Sequence, residues 1–253
     1  MNRKEILSVS GLSKVYKGEG YEVAALKNIS FHLEAGEMIA IMGTSGSGKS
    51  TLLNILGALD EPTAGVIKVA GQYSKDMFQE PKASLYRREN IGFIFQSFHL
   101  LKDLSVEENI SLPLILKGVD KSLITPKVNQ VIELIGLTEW KKHRPFQLSG
   151  GQQQRVAIGR AIITAPPIIL ADEPTGNLDF NTSRDILNVL ADMKKQLNQS
   201  IVLVTHDANV ATYADRVLFF HDGSIVDEYK CGIDNDLEYI LEKFKMITER
   251  LTV

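Results

Sequence analysis

Gly43-Thr44-Ser45-Gly46-Ser47-Gly48-Lys49-Ser50-Thr51 is the stretch that decides the fold. From Gly43 to Ser50 it matches the phosphate-loop pattern in full. Glycines let the backbone curl around an anion, so that successive N–H groups point inward as a nest. A helix starting directly after the loop adds the positive end of its dipole. Lys49 brings a point charge to the β- and γ-phosphates of a nucleotide, and the Ser50 hydroxyl suits Mg²⁺. The context agrees. Met38 to Met42 reads as a short apolar strand feeding the loop, and Leu52, Leu53, Ile55, Leu56 and Leu59 follow with helical spacing.

Working outward, a second apolar run, Ile168-Ile169-Leu170-Ala171, ends at Asp172-Glu173. Parallel sheets bind ligands at the C-terminal ends of their strands. Asp172 is therefore expected in the Mg²⁺ shell, and Glu173 as the acceptor that orients or deprotonates an attacking water. A third run, Ile201 to Thr205, ends at His206, whose ring could reach the same phosphate or water. His32, His99, His143 and His221 lack such a setting and read as structural or surface residues.

Between these strands the pattern turns helical. From about Ser97 to Ala165 apolar residues recur at helical spacing, as at Val128, Val131, Ile132 and Ile135, with Pro113 and Pro126 punctuating the stretch. Leu26 to Leu33 and Val66 to Val69 read as alternating strands, and Asp222-Gly223 as a hairpin turn. A helix with a core face of Ile186, Leu190, Met193 and Leu197 precedes the Ile201 strand. Strand–helix–strand order with short apolar runs predicts an α/β fold with a mainly parallel sheet covered on both faces. Near the end, Leu237, Ile240, Leu241, Phe244, Ile247 and Leu251 form an amphipathic stripe, expected to pack on the protein's own body.

Composition narrows the function classes. A net charge of -3 gives no electrostatic reason to expect nucleic acid. The only cysteine, Cys231, suits a reducing compartment. No segment approaches the ~18 consecutive apolar residues of a membrane span, and Met1 to Glu5 lacks a signal peptide's apolar region. A cytoplasmic location is expected, with a partner carrying the chain to any membrane it serves. The basic run Lys141-Lys142-His143-Arg144 reads as a solvated helix end.

Leu148-Ser149-Gly150-Gly151-Gln152 opens another helix, with Ser149 as N-cap and backbone N–H groups forming a second anion site. One phosphate tail rarely needs two such sites, but two chains packed head to tail would use both. With this motif the sequence resembles the ATP-binding cassette (ABC) family over about residues 5 to 230. Gly43 to Thr51 resembles its Walker A motif, Leu148 to Gln152 its signature, and Ile168 to Glu173 its Walker B with catalytic glutamate. Gln96 in Phe93-Ile94-Phe95-Gln96 resembles the Q-loop glutamine, which touches Mg²⁺ and couples to the membrane partner. Asn177-Leu178-Asp179 resembles the D-loop, with asparagine where many members have alanine, and His206 resembles the switch histidine. Tyr16 fits the aromatic that stacks on adenine, with Tyr21 close by as the alternative.

The resemblance implies a phosphate-loop NTPase (RecA-like) core, an N-terminal antiparallel β subdomain and a helical subdomain inserted at about 97–165. One ATPase domain would span 1–230, followed by an amphipathic helical tail over 231–253. It further implies ATP and Mg²⁺ as ligands and an ATP-induced head-to-tail homodimer, in which Ser149 and Gly151 complete the partner's γ-phosphate site and Asp179 lies beside it.

Three stretches, Asn90 to Leu101, Glu107 to Leu114 and Asp172 to Asp179, are similar to one branch: ATPases of lipoprotein-release, macrolide-export and antimicrobial-peptide-resistance systems. These serve integral membrane permeases with large extracytoplasmic domains, from the inner face of the cell membrane. A relative that regulates cell-division complexes without moving cargo is the alternative. A DNA-repair or chromosome ATPase is excluded by spacing, because Lys49 and Ser149 lie too close in sequence to leave room for a long coiled-coil arm.

Overall fold

A computed structural model describes residues 4–73, 76–232 and 234–249. Six strands form the main sheet, in the order β5 (Ile91–Phe95), β6 (Ile168–Asp172), β7 (Ser200–Thr205), β3 (Met38–Gly43), β8 (Arg216–His221) and β9 (Ser224–Lys230). All neighbours run parallel except the β8–β9 hairpin. Asp222 and Gly223 turn that hairpin with φ of 43° and 75°, the positive values a two-residue type I′ turn demands. A second sheet is antiparallel, in the order β2 (Tyr21–Glu34), β1 (Glu5–Gly18) and β4 (Ala64–Val69).

The continuous apolar runs follow from burial on both faces. Along β3, Met38, Ala40 and Met42 enter one core while Ile39 and Ile41 enter the other. The same alternation divides β6 and β7. One core lies between the main sheet and the antiparallel sheet and includes Leu52, Leu53, Ile55 and Leu56 of α1 (Lys49–Leu56). The other is roofed by α3 (Val106–Leu116), α4 (Lys121–Leu134), α5 (Gly150–Ile162), α6 (Phe180–Leu197), the short α7 (Ala208–Ala211) and α8 (Asp236–Glu249). Before β5, α2 (Lys82–Asn90) packs Tyr86 against the core between the two sheets.

Several expectations need adjustment. Pro113 and Pro126 do not interrupt the helices; they sit inside α3 and α4. A proline lacks a donor but keeps its acceptor, and the Lys117 N–H donates to the Pro113 carbonyl at 3.0 Å, so α3 runs through. Leu197 is half exposed at the end of α6, beyond the reach of the core that buries Ile186, Leu190 and Met193. On α8, Ile240 is fully buried and Phe244 and Ile247 pack against the core, whereas Leu237 and Leu241 face solvent. Leu251 lies outside the described residues. In the basic run, Lys141 and Lys142 both pair with Glu107 at the start of α3, the former at 3.3 Å.

Arg216 ties the layers together. Its Nε donates to Glu37 Oε1 at 2.7 Å, one terminal nitrogen to Glu228 Oε1 at 2.8 Å, and the other to the His32 carbonyl of β2. Glu37 and Arg216 are both buried. Removing one member of a buried pair leaves the other charge without compensation, at about 3–5 kcal/mol. Arg216→Met is therefore expected to lower the unfolding free energy by that order in urea titration, and adding Glu37→Gln should recover part of the loss by removing the stranded charge.

Candidate functional site

Register brings the chemistry together. Phe95 pairs with Asp172, Asp172 with Val204, and Met42 with Thr205, so four neighbouring parallel strands end at one level. The next residues along these strands are Gln96, Glu173, His206 and, after Gly43, Thr44. Residues far apart in sequence thus meet at one edge, because parallel strands all deliver their C-termini to the same side.

The phosphate loop occupies that edge. Gly48 adopts φ 104°, and a side chain on it would run into the Ala25 carbonyl. Gly43 is closed in by the Phe220 carbonyl and the Ser47 hydroxyl. These two positions admit only glycine. Gly46 opens to solvent, and Thr44 and Ser45 complete the loop's outer rim. The β8–β9 turn braces it from behind, with the Gly223 N–H donating to the Ser47 carbonyl at 2.9 Å. Lys49 folds over its own loop, its ammonium donating to the carbonyls of Gly43 (2.9 Å) and Thr44 (2.7 Å).

Next to the loop, Asp172 accepts a hydrogen bond from Ser50, and its carboxyl pKa is pushed up by burial and by the neighbouring charge of Glu173. Burial pushes Lys49 the other way, downward, against the pull of Glu173 and Asp172. Two carboxylates, one ammonium and an anion nest make a charge arrangement that a divalent cation with a polyphosphate would relax. No three His, Cys, Asp or Glu side chains converge as a metal site among the described residues. A hydroxyl plus one carboxylate instead suits Mg²⁺, which keeps most of its shell as water and phosphate oxygen. The residues present fit the Mg²⁺–ATP pair.

Glu173 adopts φ 43°, a left-handed conformation costing a non-glycine residue roughly 1–2 kcal/mol. Its N–H donates to the Val204 carbonyl of β7 and its carbonyl accepts from the Gly176 N–H, both at 3.0 Å. Its side chain meets the His206 ring, Oε1 to Nδ1 at 2.9 Å. An ionised carboxylate only accepts, so the shared proton belongs on Nδ1. Gln96 and Asn177 bond reciprocally, amide to side chain at 3.2 Å and amide to backbone at 3.0 Å. A side chain on Gly176 would run into Gln96 and crowd Glu173, so its bare face leaves room for both.

Other expected residues stand apart. Ser149 caps α5 with a reciprocal capping box to Gln152. Gly151 packs against Thr182 of α6 and Gly150 against Leu178. No hydrogen bond joins Ser149 or Gly151 to the phosphate loop among the described residues. Asp179 caps α6, accepting from the Thr182 hydroxyl at 2.5 Å and from the Asn181 N–H at 3.1 Å. Tyr16 donates its hydroxyl to Asp60 at 2.6 Å and also bonds Thr51 in the first turn of α1, while Lys14 lies over its ring at 4.8 Å. Tyr21 lies across Gly18 at the hairpin tip. Asp60 and Lys14 carry no signal in the sequence, since 44 residues separate Asp60 from Tyr16.

The ABC transporter family profile matches residues 26–176. The chain belongs to the ABC transporter family. The cassette is 42% identical over 220 residues to the lipoprotein-releasing system ATP-binding protein LolD of Pseudoalteromonas translucida, covering 87% of this chain and 94% of that protein. It is 44% identical over 244 residues to the macrolide export ATP-binding/permease protein MacB 2 of Yersinia pestis, covering 96% of this chain but 35% of that one. The cassette thus spans about a third of the length of its macrolide-export relatives. Among solved structures, a dimeric post-hydrolysis state of the ATP-binding cassette MJ0796 bound to ADP and Pi superposes with a TM-score of 0.82 at 39% identity, covering 90% of this chain and all of that one.

The position of Tyr16 beside Thr51 generates a prediction. Base–aromatic stacking contributes about 1–3 kcal/mol, so Tyr16→Ala should weaken binding of a fluorescent ATP analogue about tenfold or more. Tyr21→Ala should leave it unchanged.

Proposed function

We propose that the cassette hydrolyses Mg²⁺–ATP as one half of a head-to-tail homodimer and drives a separate integral membrane permease with a large extracytoplasmic domain. It would work at the cytoplasmic face of the cell membrane in export, lipoprotein or peptide release, or antimicrobial-peptide resistance. The observation that carries this is the division of the site. The phosphate loop, Asp172, Glu173, Gln96 and His206 meet at one strand edge, while Ser149 and Gly151 present a capped helix start elsewhere on the chain. A second copy turned head to tail would bring that start to the open side of the loop. The dimeric solved cassette supports this, as does a single-cassette relative named for a lipoprotein-releasing system. No described helix is long and apolar enough to cross a membrane.

The geometry supports the following roles. The phosphate-loop N–H groups and Lys49 hold the phosphate tail, and Tyr16 supports the adenine. Lys49 must release the carbonyls of Gly43 and Thr44 to do so, exchanging two neutral acceptors for a charged one. Mg²⁺, when bound beside Ser50, Asp172 and Gln96, supplies charge stabilisation to the phosphate oxygens. Glu173 accepts the proton of the attacking water, held in place by its bond to His206. Ser149 and Gly151 of the second copy, with Asp179 nearby, close the γ-phosphate end and exclude bulk water. Hydrolysis then rests on positioning and electrostatics.

Glu173→Gln keeps the shape and removes the base. It should bind ATP as well as the wild type, lose turnover by about 10²-fold or more, and accumulate as a dimer on size-exclusion chromatography in ATP and Mg²⁺. Normal turnover in this variant would remove Glu173 from its role. Affinity purification from membranes should bring down a permease with a large extracytoplasmic domain; recovery of a cell-division complex instead would assign the regulatory function.

A further inference from the structure

The turn that carries Glu173 is held from three sides. Two of these holds, from Val204 and Gly176, belong to the sheet edge and to the turn itself. The third comes from the signature helix. Gln154, one turn into α5, is completely buried and donates its amide to the Pro174 carbonyl at 2.6 Å. Its other amide atom, Oε1, is equally buried and has no hydrogen-bond partner among the described residues. A glutamine that leaves half its amide unsatisfied is an uneconomical way to fill space, since an apolar side chain of that volume would avoid the unmet acceptor. The amide is explained by the one bond it makes, to the residue directly after Glu173.

The same helix grips the other strand end. Arg160, at the far end of α5, donates to the carbonyls of His99 (2.7 Å) and Phe98 (3.0 Å), just beyond Gln96. At the helix start, Gly151 packs against Thr182 and Gly150 against Leu178. Helix α5 is thus a strut with the signature at its tip and the turns around Glu173 and Gln96 attached to its side. Resting on the dimer reading above, its tip touches one nucleotide while its side positions residues at the other.

We propose that Gln154 is a positioning residue that carries engagement of the signature motif at one ATP to the Glu173 turn of the same chain, coupling the two sites of the dimer. It touches no reacting atom. A displacement of α5 along its axis moves the Pro174 carbonyl with it, and Glu173, already in a left-handed conformation and adjacent to that carbonyl, changes its reach toward water.

The test uses Gln154→Leu and Gln154→Met in the full chain, Met giving an unbranched side chain of similar volume should Leu pack poorly. Affinity for a fluorescent ATP analogue and the melting temperature should stay at wild-type values, while kcat falls by on the order of tenfold or more with KM little changed. The Hill coefficient for ATP should fall from about 2 toward about 1. Hydrogen exchange at the Gly176 and Leu178 amides, both bonded within the turn, should quicken while β6 stays protected. Wild-type kcat and Hill coefficient in either folded variant, with unchanged exchange in the turn, would overturn the proposal. A uniform loss of protection across α5 and β6 would also overturn it, by making Gln154 a packing residue. The exchange measurement does not depend on turnover, so an inactive wild type would count against the ATPase reading while Gln154 is still decided.

Discussion

Asp172 and Glu173 end a strand whose other residues are buried and apolar, flanked on both sides by strands equally apolar. Placing two adjacent carboxylates there sets the local electrostatics of the molecule. Burial and the charge of Glu173 raise the pKa of Asp172, and burial lowers that of Lys49 against the pull of the two carboxylates. Neither shift is what a structural ion pair would produce, because a well-formed pair drives a carboxylate pKa down and an ammonium pKa up. The nest of N–H groups beside these side chains prepares the arrangement for an anion and a cation together.

The scaffold explains how such a site is kept open. The central parallel strands of the main sheet are buried on both faces, so they need no polar alternation and reach the edge as rigid apolar rods. Rigidity at the edge permits strain in the connections. Glu173 is held in the left-handed region by bonds to β7 and within its own turn, and its neighbour Pro174 accepts a bond from α5. The phosphate loop is likewise fixed by the Gly223 N–H from behind and by the Ala25 carbonyl against Gly48. The hairpin turn at Asp222-Gly223 therefore does more than reverse the chain: the Lys27 N–H bonds Gly223 at 2.7 Å, so one residue joins the nucleotide loop to the antiparallel sheet.

Much of this was legible in the residues themselves. Strand-sized apolar runs ending at Gly43, Asp172 and His206 identify the edge, since only a parallel sheet brings three such ends together. The N-cap at Ser149 was readable from its three-residue spacing to Gln152. What escaped was whatever depends on distant partners. Leu197 keeps the helical period of its neighbours yet lies past the end of the core. Pro113 looks like a break, but a proline within a helix costs one donor and spares the carbonyl, and packing of Ile110 and Leu114 carries the helix through. The contact of the Tyr16 hydroxyl with Asp60 joins residues 44 apart in sequence and had no local signal.

Gln154 shows why the rest was hidden. It stands in a run of three glutamines, and composition alone gives no reason to prefer one. The helical period does separate them, because Gly151, Gln154 and Ile158 share the buried face of α5, whereas Gln152 and Gln153 lie toward solvent. Period can place a polar side chain inside without saying what it meets there. A buried amide implies an acceptor, and a search for that acceptor leads across the structure to Pro174 and so to Glu173. On the dimer reading, in which the signature would act on one nucleotide and Glu173 on another, this bond connects the two, because α5 carries both the signature and the contact to Pro174.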